Sequence, residues 1–223
     1  MDPEQWQTYL VTQQTLSDGR STVDIVEKAI EGGVDAIQLR EKEMSAKDRY
    51  ELGQTLRELT AEAGVDLLVN DRVDLARAID ADGVHLGQSD LPISVAREQL
   101  GDDAIIGASV STVSEARLAA ITGADYLGVG AIYGTTSKPE APTADDGLGL
   151  DALADIVQTV RIPVTAIGGI TAENASEPID AGASSVAVIS AITAADDPAA
   201  AARALADSTD LSAPEAESEV GDD

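Results

Sequence analysis

A (β/α)8 barrel is the fold this sequence predicts, and two observations carry the prediction. Short apolar runs bounded by Gly, Asp or Asn recur along the whole chain: "TYLVTQ", "AIQLRE", "DLLVND", "GVHLGQ", "AIIGASV", "YLGVGAI", "VTAIGGI" and "SVAVISAI". Between them lie helical patterns such as "STVDIVEKAIEGG", "SAKDRYELGQTLRELTAEAG", "STVSEARLAAITGA" and "LDALADIVQTV", with Ser, Thr or Asp near their starts and Gly near several ends. Strand followed by helix, eight times over, is the pattern of one closed parallel sheet in a helical jacket. The open doubly wound sheet needs a G-x-G-x-x-G fingerprint after its first strand, and "YLVTQQTLSDGR" has none.

Composition fits this reading. With 223 residues, 43% apolar residues, no Phe, one Trp and four Tyr, the core is expected to consist of Val, Ile, Leu and Ala, which suits strands covered by Ala-rich helices. The catalytic barrel is expected over residues 1–208. From 209 to 223 the chain turns acidic and loses large apolar residues, so a solvated, disordered tail is expected there. The start "MDPEQWQ" lacks the basic and apolar regions of a signal peptide, and no apolar run approaches the roughly 20 residues of a membrane span. A cytoplasmic protein is the expectation.

Cysteine is absent and His85 is the only histidine, which removes thiolate nucleophiles, Cys-ligated zinc and multi-histidine metal sites and leaves oxygen ligands. Fourteen Lys+Arg against forty-one Asp+Glu give a net charge of −27, as in proteins adapted to molar salt. Such a surface repels nucleic acid and anionic membranes, yet a small anion can still bind in a local positive site. The expected partners are small-molecule substrates, with a homo-oligomer left open.

In barrels the chemistry gathers at the carboxyl ends of the strands, so candidate residues are expected there. Strand two ends "AIQLREK". Alternation puts Gln38, Arg40 and Lys42 on one face and Leu39 and Glu41 on the other. Strand three ends in Asn70 and Asp71, and the fourth leads to Asp90. Two carboxylates beside cations suit Mg²⁺, which binds one or two carboxylates with substrate phosphates and water; the plainer alternative is that each aspartate caps the helix that follows it. His85 lies mid-strand and reads as a packed or hydrogen-bonded side chain. Strand five delivers Ser109. Strands seven and eight end in "AIGGI" and "VAVISAI", where Gly168, Gly169, Ile189 and Ser190 suit a phosphate cradle.

The sixth strand runs into "GTTSK", that is Thr135, Thr136, Ser137 and Lys138. Of the four lysines, Lys28 and Lys47 fall in helical stretches, whereas Lys42 and Lys138 fall at strand ends. With Arg40 they make a local cationic site inside an acidic protein, which implies a phosphorylated substrate.

Taken in series, "QLREK", "LLVNDRVDLA", "ADGVHLGQSDLP", "IIGAS", "ADYLGVGAIYGTTSK", "AIGGI" and "VAVISAI" resemble the thiamine phosphate synthase family over about Tyr9 to Ile192. The resemblance implies a transferase that joins 4-amino-2-methyl-5-hydroxymethylpyrimidine pyrophosphate to 4-methyl-5-(2-hydroxyethyl)thiazole phosphate, releasing pyrophosphate, with magnesium as cofactor. It assigns the run Gln38, Leu39, Arg40, Glu41 and Lys42, with Asn70, Ser109 and Lys138, to the pyrimidine pyrophosphate. It also assigns Asp71 and Asp90 to the metal, and Thr135, Thr136, Ser137, Gly169, Ile189 and Ser190 to the thiazole phosphate. Arg40, Lys42, Ser109 and Lys138 would be the catalytic residues. The chain departs from the family pattern at Gln13, Ala131, Gly134 and Ser137, where Asp, Pro, Pro and Thr are usual. The alternatives are a thiazole tautomerase, which would not need the full set of cations and carboxylates, and a non-catalytic barrel that binds thiamine precursors without turnover.

Overall fold

The computed structural model describes residues 2–137 and 145–209. The strands are β1 (Thr8–Val11), β2 (Ala36–Leu39), β3 (Asp66–Asn70), β4 (Gly83–Leu86), β5 (Ile105–Val110), β6 (Tyr126–Gly130), β7 (Val164–Ile167) and β8 (Ser185–Val188). They pair in chain order, all parallel, and the sheet closes where β1 meets β8. Around it lie α1 (Thr22–Glu31), α2 (Ala46–Ala63), α3 (Val73–Ala78), α4 (Ile93–Leu100), α5 (Val113–Ile121), α6 (Leu150–Val157), α7 (Ser176–Asp180), α8 (Ser190–Thr193) and α9 (Pro198–Thr209). The expected barrel is the observed fold. Helix α9 runs through Thr209, one residue past the expected boundary, and the proposed tail at 210–223 lies outside the described residues. Among the described residues no helix is long and apolar enough to cross a membrane.

Local chemistry explains where the helices start and stop. Ser21 and Thr112 each accept the N–H three residues on and receive a carboxylate in return, from Asp24 and Glu115, closing capping boxes on α1 and α5. Ser45 caps α2 through the Asp48 N–H, and Gly64 ends that helix at φ 72°, a left-handed turn that costs glycine nothing.

At the amino end of the barrel one device recurs before the even strands. Asp35 accepts from the Thr8 N–H at 2.9 Å, Asp82 from Leu67 at 2.8 Å, Asp125 from Ile106 at 2.6 Å and Ser184 from Val164 at 3.4 Å. Each therefore ties the start of the preceding strand to the one it precedes. Arg57 pairs with Asp82 at 2.6 Å and Arg97 with Asp125 at 2.5 Å, so two of these carboxylates are also neutralised.

Alternation along the strands sorts two apolar layers. Leu10, Ile37, Leu39, Leu67, Val69, Ile106 and Leu127 face outward onto helix residues such as Ile25, Val26, Ala29 and Leu56. This layer is aliphatic, as composition predicts. The barrel interior is not: it is filled by Trp6, Tyr9 and Tyr126, with Val11, Leu68 and Ile105. The Trp6 and Tyr126 rings meet edge-on with centroids 5.0 Å apart, and Trp6 Nε1 donates to Asp66 Oδ2 at 2.8 Å. Glycine makes the room. Gly107 pairs with Tyr126 across β5 and β6, and a Cβ at residue 107 would strike the Tyr126 ring; one at residue 128 would lie 2.8 Å from His85 Cε1.

Candidate active site

The carboxyl end of the barrel holds two adjoining cavities. The main cavity, which opens over the strands, has a volume of about 590 Å³ and is lined by Lys42, Asp71, Asp90, Ser109, Thr135, Ser137, Gly168, Gly169, Ile189 and Ser190. Beside it a cavity of about 640 Å³ is lined by Gln13, Arg40, Glu41, Lys42, Thr136 and Ser137. Lys42 and Ser137 line both, so the two spaces meet at a cation and a hydroxyl.

The alternation read from "QLREK" places its side chains on separate duties. Arg40 is buried, donates from Nη1 to Gln13 Oε1 at 3.2 Å, and borders the second cavity, while Lys42 is exposed in the mouth. Glu41 is also buried. Its carboxylate accepts from the Gln14 N–H at 2.9 Å and from Thr22 Oγ1 at 2.9 Å, so it anchors the segment after β1. Leu39 points into the outer aliphatic layer, which limits any ligand contact there to its backbone. Gln38 borders neither cavity; it lies inside the barrel with Nε2 donating to Tyr9 Oη at 2.7 Å.

Neither aspartate caps a helix. α3 begins at Val73 behind Arg72 and α4 at Ile93 behind Pro92, both without a side-chain cap. Asp71 stands at φ 64°, in the left-handed region, and its N–H donates to the His85 carbonyl at 2.9 Å. That conformation is uncommon outside glycine, although Asp tolerates it better than most, and it is held here at a cavity wall. Asp90 accepts the Gly87 N–H on Oδ2 at 2.6 Å and leaves its second oxygen available for a cation. Among the described residues no group of three or more His, Cys, Asp or Glu could hold a metal by itself. Two hard carboxylates bordering one cavity with cationic neighbours fit an ion that completes its shell with substrate oxygens and water, as Mg²⁺ does. Asn70, half-buried at the end of β3, precedes them.

On the far side, Gly168 and Gly169 adopt φ 104° and 69°. A Cβ on Gly169 would lie 2.8 Å from Tyr133 Cβ and 2.9 Å from the Gly134 carbonyl oxygen, so this turn packs directly on the segment that leads to Thr135. Thr135 Oγ1 accepts the Ser137 N–H at 3.1 Å. Ile189 and Ser190 open α8 on the same wall. Lys138 follows Ser137 in the chain and lies outside the described residues.

The family model for thiamine monophosphate synthase matches residues 8–192, a span that takes in every strand of the barrel. The chain belongs to the thiamine monophosphate synthase family. It is 62% identical over 200 residues to a thiamine-phosphate synthase of Haloarcula marismortui, covering 90% of this chain and 95% of the relative. It is 59% identical to that of Natronomonas pharaonis, covering 92% and 96%. Among solved structures, thiamine phosphate pyrophosphorylase from Pyrococcus furiosus superposes with a TM-score of 0.83 at 42% identity, covering 93% of this chain and 96% of that one. A 3-hexulose-6-phosphate synthase at 17% identity and TM-score 0.68 shows the barrel alone.

Within this family member, two groups of residues escaped the reading of the sequence. Gln88 borders the main cavity and donates from Nε2 to the Ser109 carbonyl at 2.7 Å. Tyr9 and Tyr126 lie beneath the mouth and join Gln38 to His85 and Ser109 through hydrogen bonds. The available signal was glycine at strand positions 107 and 128, which marks bulky neighbours inside a barrel.

Proposed function

We propose that this protein is a thiamine-phosphate synthase that couples 4-amino-2-methyl-5-hydroxymethylpyrimidine pyrophosphate with 4-methyl-5-(2-hydroxyethyl)thiazole phosphate. The observation that carries the reading is the gathering of Lys42, Asp71, Asp90 and Ser109 with Thr135, Ser137, Gly169 and Ser190 around one cavity, in a chain matched by the family over its whole barrel.

The chemistry is a displacement at the pyrimidine methylene. Its C–O bond breaks with both electrons leaving on pyrophosphate, and the thiazole nitrogen lone pair forms the new C–N bond, which leaves the ring a thiazolium cation. No proton needs to move in that exchange. A site without cysteine and with a single histidine is therefore sufficient, and the demand on the protein is to position two phosphorylated reactants and stabilise the charge on the departing group. Arg40, Lys42 and Lys138 are the residues we assign to that charge. Asp71 and Asp90 would hold Mg²⁺, which supplies further charge neutralisation at the pyrophosphate when bound. Ser109 and Asn70 would orient the pyrimidine. The glycine turn at 168–169, the opening of α8 at Ile189 and Ser190, and the hydroxyls of Thr135 to Ser137 would receive the thiazole phosphate, where backbone N–H groups can approach its oxygens. We place the enzyme in the cytoplasm, acting on small molecules.

The test is substrate omission in molar KCl with Mg²⁺. Thiamine phosphate is expected only when both substrates are present. Isomerisation of the thiazole phosphate alone, without coupling, would replace this reading with the tautomerase one.

A further inference from the structure

Beneath the candidate site runs an unbroken chain of side-chain hydrogen bonds. Gln38 Nε2 donates to Tyr9 Oη at 2.7 Å, Tyr9 Oη lies 3.0 Å from Tyr126 Oη, Tyr126 Oη lies 2.8 Å from His85 Nδ1, and His85 Nε2 lies 2.8 Å from Ser109 Oγ. Four of the five side chains are buried, and the last, half-buried, borders the main cavity.

The chain has a direction. An amide NH₂ can only donate, so Tyr9 oxygen is an acceptor toward Gln38, and the arrangement that uses every hydrogen of the chain has Tyr9 donate to Tyr126. Tyr126 then spends its hydrogen on His85 Nδ1. An imidazole that accepts on Nδ1 carries its hydrogen on Nε2, and that hydrogen meets Ser109 Oγ. Burial raises the pKa of both phenols, so each keeps the one hydrogen this count requires. Ser109, already an acceptor toward His85, is left with its own hydrogen to give.

We propose that His85 is a positioning residue: locked as the Nε2–H tautomer by Gln38, Tyr9 and Tyr126, it occupies one lone pair of Ser109 Oγ and turns the hydroxyl hydrogen toward the cavity. The ligand atom that receives this hydrogen is a lone-pair acceptor, a ring nitrogen or a phosphate oxygen. The glycines at 107 and 128 support this role, because they clear the volume that holds Tyr126 and His85 in line. The functional half of the inference rests on the synthase reading, whereas the tautomer does not.

Because His85 is the only histidine of the chain, tag-free protein labelled with ¹⁵N-histidine contributes a single imidazole to a nitrogen–proton correlation spectrum. The expected result for ligand-free protein is a protonated Nε2 and a lone-pair Nδ1. The Nδ1–H tautomer, or two averaged nitrogens, overturns the proposal, and this arm holds even if no coupling activity is found. The kinetic arm uses Tyr126→Phe, which removes one oxygen from a ring that keeps its packing. It should lower kcat/KM by about 5- to 10-fold, the scale of one lost hydrogen bond, and change almost nothing when Ser109 is already alanine. An equal loss in both backgrounds would show that Tyr126 acts through the fold and not through Ser109, and would overturn the proposal.

Discussion

Gly169→Ala is a substitution whose cost can be worked from the structure in two parts. At φ 69° a side chain pays roughly 1–2 kcal/mol for the left-handed conformation. Its Cβ would also lie 2.8 Å from Tyr133 Cβ and 2.9 Å from the Gly134 oxygen, an overpacking worth about 1–3 kcal/mol. Together these give about 2–5 kcal/mol, or a fall of at least ~4 °C in Tm for a chain of this size. Relief of the clash must push apart the 168–169 turn and the segment entering Thr135, which are two walls of the proposed phosphate cradle. Gly64→Ala is the control, since φ 72° imposes a similar conformational strain and its Cβ would meet nothing within 4 Å. Thermal unfolding and steady-state kinetics in molar KCl should show Gly169→Ala losing more stability than Gly64→Ala. Its KM for the thiazole phosphate should rise several-fold or more. Equal Tm losses with an unchanged KM would refute both the packing argument and the placement of the phosphate.

Four further outcomes follow from the same reasoning. Lys138→Ala should cut turnover by roughly 10²–10³ while Tm barely moves, the scale of one preorganised electrostatic contact; unchanged pyrophosphate release would remove Lys138 from the site. Asp71→Asn should fold normally, because Asn also tolerates a left-handed φ and Asp71 caps no helix, yet raise the Mg²⁺ concentration needed for half-maximal rate. Burial raises the Asp66 pKa, so its proton is held more tightly in the folded chain than in the unfolded one. Its contribution to stability is fully present below the unfolded value, about 3.9, and is lost as pH rises through the raised folded value; the Tm of Asp66→Asn relative to the parent should therefore climb from acid toward neutral pH. Stability should rise with salt, since the Debye length falls from ~10 Å at 0.1 M to ~3 Å at 1 M and a net charge of −27 repels itself less, and a flat Tm from low salt upward would contradict this.

How far the sequence could be read depended on whether a property was local. The strands were legible because each is a short apolar run between turn residues, and their order around the barrel followed from alternation with helices. The mouth residues were legible because strand ends share one face of such a fold, and Lys42, Asp71, Asp90, Ser109 and Ser190 all border one cavity. What escaped depends on closure. That Trp6, Tyr9 and Tyr126 fill the interior, against an aliphatic expectation, follows from which strand positions meet across the barrel axis, a fact no single segment contains. The same holds for His85: its role is set by Tyr126 and Ser109, on strands that only register brings beside it. The helix-cap alternative for Asp71 and Asp90 falls because α3 and α4 begin at Val73 and Ile93, behind Arg72 and Pro92, a boundary that the local sequence does not fix.

The central claim is that one cavity joins two phosphorylated reactants by releasing pyrophosphate. It is tested most directly by a single-turnover quench, with protein in excess over both substrates in molar KCl and Mg²⁺, in which thiamine phosphate and pyrophosphate are quantified in the same samples. The account predicts that the two appear together in equal amounts and that Lys42→Ala slows both alike. Pyrophosphate released without thiamine phosphate, or tight binding of both substrates with no product, would contradict it.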